Sequence, residues 1–250
     1  MKKTVIVLAA LIVFASSSFA GVSFLTAPGV GTGNWVAQGV YETNHDGAIG
    51  NTDDPTVFDS TSVGVRGEYG VMKDLDVLVG YTSDTFPNIK RIDAAETGIQ
   101  TSGYSVDVGV KYSLGKLLGC DTAVMGGCRS ISLGIKEDAV GNSNDLETEL
   151  SIGYILSMQM NNLTPYGGVF YRRLTENAGK IFGTSVDPFT EIGLAFNIGC
   201  KIGIASNQSI LVEYNTENQE WSEEIRHGVT LDDKSSINVS GISLAYEYDF

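Results

Sequence analysis

Apolar and polar residues alternate with a period of two along most of this chain. In YSVDVGVKY, Tyr104, Val106, Val108, Val110 and Tyr112 share one face, while Ser105, Asp107, Gly109 and Lys111 share the other. A strand with one apolar and one polar face reads this way. The alternation sets Val63, Val65, Tyr69 and Val71 against Gly64, Arg66, Glu68 and Gly70, and Val77, Val79 and Tyr81 against Asp76, Gly80 and Thr82. It returns in Leu150, Ile152, Tyr154, Leu156 and Met158 against Glu149, Ser151, Gly153, Ser157 and Gln159. Ile192, Leu194, Phe196 and Ile198 stand against Glu191, Ala195, Asn197 and Lys201, and Ile210, Val212 and Tyr214 alternate with Glu213 and Asn215. The chain ends on GISLAYEYDF, in which Ile242, Leu244, Tyr246, Tyr248 and Phe250 alternate with small or acidic residues.

With the weaker segments added, the pattern predicts ten strands, with eight and twelve as alternatives. They lie near 34–43, 60–71, 75–84, 102–114, 129–138, 146–160, 164–174, 188–202, 208–217 and 236–250. The first and seventh are least regular; in PYGGVFYRR (165–173) neither register separates apolar from polar. Connections alternate too. VMKDLD (71–76), NNLT (161–164) and GIASNQ (203–208) have tight-turn lengths. Segments 43–59, 85–101, 139–145, 175–187 and 218–236 are longer and polar. One short-side connection breaks the rule: GKLLGCDTAVMGGCR (115–129) holds two of the three cysteines. The expectation there is a small knob closed by a Cys120–Cys128 disulfide, with Cys200 left as a free thiol.

Alternation alone does not say which face is inside. A soluble sandwich or lipocalin-like barrel turns the apolar face inward; a membrane barrel turns it toward lipid. The polar faces here carry many glycines beside charges of both signs, such as Arg66 with Glu68 and Asp107 with Lys111. A crowded lumen requires small residues and neutralised charge, whereas a solvated surface does not. Aromatics at the ends of apolar stripes (Tyr69, Tyr81, Tyr104, Tyr112, Tyr214, Tyr246, Tyr248, Phe250) suit interfacial girdles. The expected fold is therefore all-β, a transmembrane antiparallel up-and-down β-barrel with short periplasmic turns and long extracellular loops.

The amino terminus and the charge fit that picture. A basic start (MKK), an apolar run from Val5 to Ala15 and small residues at Ser18 and Ala20 read as a signal peptide, residues 1–20, preceding a barrel domain at 21–250. The run is too short to span a membrane as a helix. Loss of Lys2 and Lys3 takes the formal charge from −14 to −16. So acidic a chain lacks the basic stripe that a nucleic-acid partner requires.

GISLAYEYDF also carries a resemblance. The chain resembles the bacterial, Gram-negative outer-membrane β-barrel proteins, whose last strand ends on an aromatic residue preceded by alternating apolar positions. The resemblance, of small-barrel OmpA/OmpX-like or porin-like type with no subfamily identified, covers the whole of 21–250 as a pattern. It implies residence in the cell outer membrane and contact with its lipid and lipopolysaccharide. It also implies that the barrel-assembly machinery reads Ile242, Leu244, Tyr246, Tyr248 and Phe250 as an insertion signal. The barrel is expected to be a monomer without a cofactor.

Three classes of function remain open. The first is a structural or surface-loop role, in adhesion or interaction, around a lumen filled by side chains. Predicted lumen charges are Arg66, Glu68, Asp107, Lys111, Lys136, Glu149, Glu191, Lys201, Glu213 and Glu247. Their bland reading is a set of structural ion pairs, because an unpaired buried charge is costly. The second is a narrow porin-like channel; six acids against four bases in that set would make it weakly cation-preferring. The third is an outer-membrane hydrolase. Its candidates would be His45 and His227, the only histidines, with Asp46, Asp53 and Asp54 near the first. Both histidines fall in predicted loops, where a base is poorly positioned, and no G-x-S-x-G elbow occurs. The expectation is a protein that is not an enzyme. NTDDPTVFD (51–59) lacks the spaced ligands of a calcium loop and reads as a solvated acidic loop. Trp221, amid polar residues, reads as a loop-packing residue or a contact for a partner.

Overall fold

The computed structural model describes residues 25–46, 57–90, 99–137, 141–176, 180–181, 184–185, 189–221, 225–226, 229–230 and 236–250. The proposed leader, His227, Asp53 and Asp54 lie outside them. The strands are β1 (Trp35–Asp46), β2 (Val57–Met72), β3 (Leu75–Lys90), β4 (Ile99–Leu117), β5 (Cys120–Glu137), β6 (Gly141–Ser157) and β7 (Leu163–Glu176). They continue as β8 (Lys180–Ile181), β9 (Thr184–Ser185), β10 (Phe189–Ala205), β11 (Gln208–Trp221), β12 (Ile225–Arg226), β13 (Val229–Thr230) and β14 (Ser236–Asp249). Ten of them close into one barrel in the order β1-β14-β11-β10-β7-β6-β5-β4-β3-β2. The pairs β8–β9 and β12–β13 form separate two-stranded hairpins.

Every barrel neighbour is antiparallel, and each strand pairs with its sequence neighbours in the barrel. Closure comes from β1 against β14, running from Val36 opposite Asp249 to Asp46 opposite Val239. The Phe250 amide donates to the Trp35 carbonyl, 2.9 Å, so hydrogen bonding reaches the last residue. A closed sheet leaves no edge whose backbone groups would lack partners in hydrocarbon. Ten strands and closure by the last strand are as expected from the sequence.

The faces divide as a membrane barrel requires. Val63, Val65, Val79, Val106, Ile152, Leu194, Phe196, Ile198, Val212, Ile242 and Leu244 are exposed on the outside. Arg66, Glu68, Asp76, Asp107, Lys111, Glu149, Glu213 and Glu247 are buried within. A soluble protein would not expose so continuous an apolar belt. Paired aromatics mark its ends: Trp35 with Tyr69 at 4.5 Å, Tyr81 with Tyr104 at 6.3 Å, and Tyr248 with Phe250 at 4.7 Å between centroids. No helix among the described residues is long and apolar enough to cross a membrane, and the crossing is made by strands.

Two expectations are corrected. The knob at 115–129 does not exist. β4 runs on to Leu117 and β5 begins at Cys120, joined by a turn at Leu118 and Gly119 with φ of 53° and 89°. Both central residues are left-handed, as in a type I′ hairpin turn. Cys120 and Cys128 therefore lie on one strand, eight residues or about 26 Å apart at 3.3 Å per residue, far beyond disulfide reach. All three cysteines are free. The strands are also longer than their apolar stretches. His45 and Asp46 belong to β1 and Trp221 to β11, β2 already begins at Val57, and β3 runs on to Lys90. Hydrophobicity marks only the part in lipid; backbone pairing continues beyond it.

Candidate functional site: a plugged lumen

The inner face combines charge with tight apolar packing. On β7, Tyr166, Gly168, Phe170 and Arg172 alternate inward, while Val169, Tyr171 and Arg173 are exposed. Phe170 fills the space over Gly153 and Gly168, and Tyr166 the space over Gly199; a Cβ at any of these glycines would overlap the rings. Interior glycines thus make room for aromatics in a narrow lumen.

Through this interior passes the segment that precedes the first strand. Leu25 and Ala27 are buried in one cluster with Leu78, Ala123, Met125, Ile155, Phe170 and Ala195, contributed by β3, β5, β6, β7 and β10. Such a cluster can form only inside the barrel. The Ala27 amide donates to Ser157 Oγ at 3.1 Å, and Ser113 Oγ donates to the Ala27 carbonyl at 2.8 Å. Lys111 Nζ donates to the carbonyls of Thr26 (3.1 Å) and Pro28 (2.9 Å). The same ammonium meets Glu68 Oε1 at 2.5 Å and Asp76 Oδ2 at 3.4 Å. Lys111 is thereby fully buried, holding two carboxylates and two backbone carbonyls. Its pairing accounts for a charge that would otherwise be costly there.

The segment leaves the lumen through glycines. Gly31 and Gly33 have φ of 86° and 81°, values that side chains with a Cβ rarely adopt. The Gly33 amide donates to the Gly70 carbonyl at 2.7 Å and the Gly70 amide to the Asn34 carbonyl at 3.1 Å. A Cβ on Gly70 would overlap the Gly31 carbonyl, so the close approach requires glycine at that position.

Further charges are paired within the wall. Arg66 Nε lies 3.9 Å from Asp107 Oδ2. Arg129 Nη2 lies 3.7 Å from Asp84 and donates to Thr82 Oγ1 at 3.2 Å. Arg172 bridges Glu149, at 3.5 Å, and Glu217. Lys201 pairs with Glu247, which also accepts from Gln38 Nε2 at 2.7 Å. Asn197 Nδ2 donates to Glu213 Oε2 at 3.1 Å. Cavities lie among these charges. One of about 100 Å³ is bordered by Glu42, Arg129, Phe170, Arg172 and Glu217. Another, about 320 Å³, opens at the turn end beside Thr26, Pro28, Lys111, Lys201, Glu247 and Phe250.

The structure thus brings together Lys111 with Glu68, Arg66 with Asp107, and Lys201 with Glu247. Glu149 and Glu213 are held by partners the sequence did not single out. Glu191 and Lys136 lie in strands, but their side chains fall outside the described ones. Sequence reading missed Asp84, Arg129, Arg172, Glu217 and the whole plug, and it set Asp76 on a polar face without counting it among the lumen charges. Arg129 stood in the supposed knob, and Arg172 in the strand of unreadable register. The plug's one signal was PGVGTGN (28–34), three glycines and a proline just before a strand. His45 is in β1, with its side chain outside the described ones, and no group of three His, Cys, Asp or Glu among the described residues is placed to share a metal ion.

A closed sheet of ten strands, a lipid-facing belt and a charged, filled interior define a transmembrane β-barrel of the outer-membrane type. Among solved structures of this kind, the chain is similar to the outer membrane protease OmpT from Escherichia coli, at 10% identity, over 87% of this chain and 97% of that one, with a TM-score of 0.49. It is also similar to the translocator domain of the autotransporter NalP from Neisseria meningitidis (13% identity, 98% and 95% coverage, TM-score 0.45) and to Neisserial surface protein A (13%, 86% and 97%, 0.41). No family model and no curated protein matches the chain. What identifies the barrel is its own closure and belt.

Proposed function

We propose that this is a structural or surface-interaction protein of the outer membrane, non-enzymatic, with its lumen closed by its own amino-terminal segment. Residues 1–20 direct its export, the last strand is read by the barrel-assembly machinery, and the barrel sits as a monomer among lipid and lipopolysaccharide. The observation that supports this reading is the plug: Leu25 and Ala27 packed among inward side chains of five strands, with Lys111 clamping the chain by two carbonyls. A filled lumen leaves the rim and the connections beyond the strands as the places for contact with other molecules.

The cavities beside Arg172 and beside Lys201 favour a second reading, a narrow cation-preferring channel that opens when the plug withdraws. Single-channel recording separates the two. The mature protein (21–250), shown to be inserted in a planar bilayer, should be silent, and a variant lacking 25–30 should conduct in small cation-selective steps. Discrete steps from the unaltered protein would overturn the closed-barrel reading in favour of the channel.

A further inference from the structure

The turn between β4 and β5 is built unlike the rest of the short-turn end. The β3–β4 ladder stops at Leu75 opposite Tyr112, and the β5–β6 ladder begins at Asp121 opposite Ser157. Residues 114–120 therefore pair only within their own hairpin and project free of both neighbouring strands. A register shift between Ser113 and Gly115 marks a bulge at Leu114. Bulges bend a strand and re-aim its side chains.

The sorting of side chains on this projection is the second observation. Lys116 is paired in register with Asp121, its ammonium 3.8 Å from the carboxylate, and the two share the polar face. Leu117 lies opposite Cys120 on the other face. Leu114, Leu117 and Leu118 are 52%, 56% and 98% exposed. Leu118 also has a φ of 53°, a conformation that glycine or asparagine adopts at lower cost. Nothing among the described residues covers this side chain. By register Leu117 shares the face of Tyr112, Val108, Val106 and Tyr104 on β4, whose exposed part is the lipid belt; Val110 is buried and Tyr112 half-buried between them.

We propose that the 114–120 hairpin is a lipid anchor. Its leucine face seats in the headgroup–acyl boundary of the periplasmic leaflet of the membrane the barrel spans, and its Lys116–Asp121 face stays toward water. The argument for lipid over a protein partner is continuity: the apolar face extends one already in contact with lipid, and the bulge turns the strand without breaking that face. Contiguous exposed apolar surface marks a contact of this sort, and amphipathic elements bind interfaces through their buried apolar area.

The test uses the mature protein in phospholipid vesicles, with Cys120→Ser, Cys128→Ala and Cys200→Ala as background. A polarity-sensitive fluorophore is placed at Leu118→Cys and, for comparison, at Ser206→Cys in the turn between β10 and β11. The label at 118 should emit further to the blue than that at 206. It should be quenched by spin-labelled lipid and be several-fold less sensitive to aqueous iodide. Adding Leu114→Ser with Leu117→Ser, both exposed and outside the barrel packing, should return the label at 118 to water. An iodide-accessible label at 118 in the otherwise unchanged hairpin would overturn the proposal and leave the leucines to a protein partner. A label that stays in lipid after the two serine substitutions would also overturn it, because depth alone, not the leucine face, would then place the tip.

Discussion

Lys111 does several jobs with one ammonium. It neutralises Glu68 and Asp76, each buried, and it donates to two carbonyls of the plug. Replacing it by methionine keeps the volume and removes the charge, which leaves two carboxylates facing each other without a cation. Breaking a buried pair in this way costs about 3–5 kcal/mol. Lys111→Met should therefore lower the urea midpoint of the refolded barrel substantially. Lys116→Met, at an exposed pair, should change stability by less than about 1 kcal/mol. Equal midpoints for the two variants would mean that the clamp contributes nothing to the fold.

At the scale of the element, β5 is the instructive strand. Its lower half was hidden in the supposed disulfide knob, and in its upper half the usual sorting is relaxed: Ser130 is exposed, and Ile131 lies opposite the buried Ser105. Neither half shows clean alternation, so periodicity could not find its start. β7 fails for a related reason, because Tyr166 and Phe170 face inward while Val169 and Tyr171 face outward, and both sides read apolar. β4, β6 and β14 were legible because lipid on one side and charge on the other impose a period of two. The cysteine prediction belongs here as well. Alkylation of the denatured protein without reductant, after purification from an oxidising compartment, should add three labels per chain, since all three thiols are free. A single label would restore the Cys120–Cys128 bridge and require β5 to begin later.

For the whole molecule, closure rests on β14. Its outward residues Ile242, Leu244 and Tyr246 are exposed to lipid, and Phe250 is 74% exposed against Tyr248. Phe250 contributes little to internal packing, so Phe250→Ala should leave the unfolding midpoint of the assembled barrel within about 0.5 kcal/mol, as for other surface changes. The amount of barrel recovered from the outer membrane should nevertheless fall, if the assembly machinery reads this position. An unchanged yield would remove the proposed insertion signal. Barrel class, strand number and closing strand were thus readable from alternation; the plug was not, because a segment without regular structure leaves no period to detect.

That plug has a consequence for the order of events. Leu25 sits only ten residues before β1, yet Met125, Ile155, Phe170 and Ala195, which surround it, come a hundred or more residues later. Contacts so distant along the chain are slow to form, and these exist only once β3, β5, β6, β7 and β10 stand around the segment. The beginning of the chain is therefore among the last parts to find its place, and it docks as the wall completes around it. Leu25→Ala should accordingly speed unfolding while leaving the folding rate nearly unchanged, the pattern of a residue absent from the transition state. Slower folding with unchanged unfolding would make the segment a template on which the strands assemble.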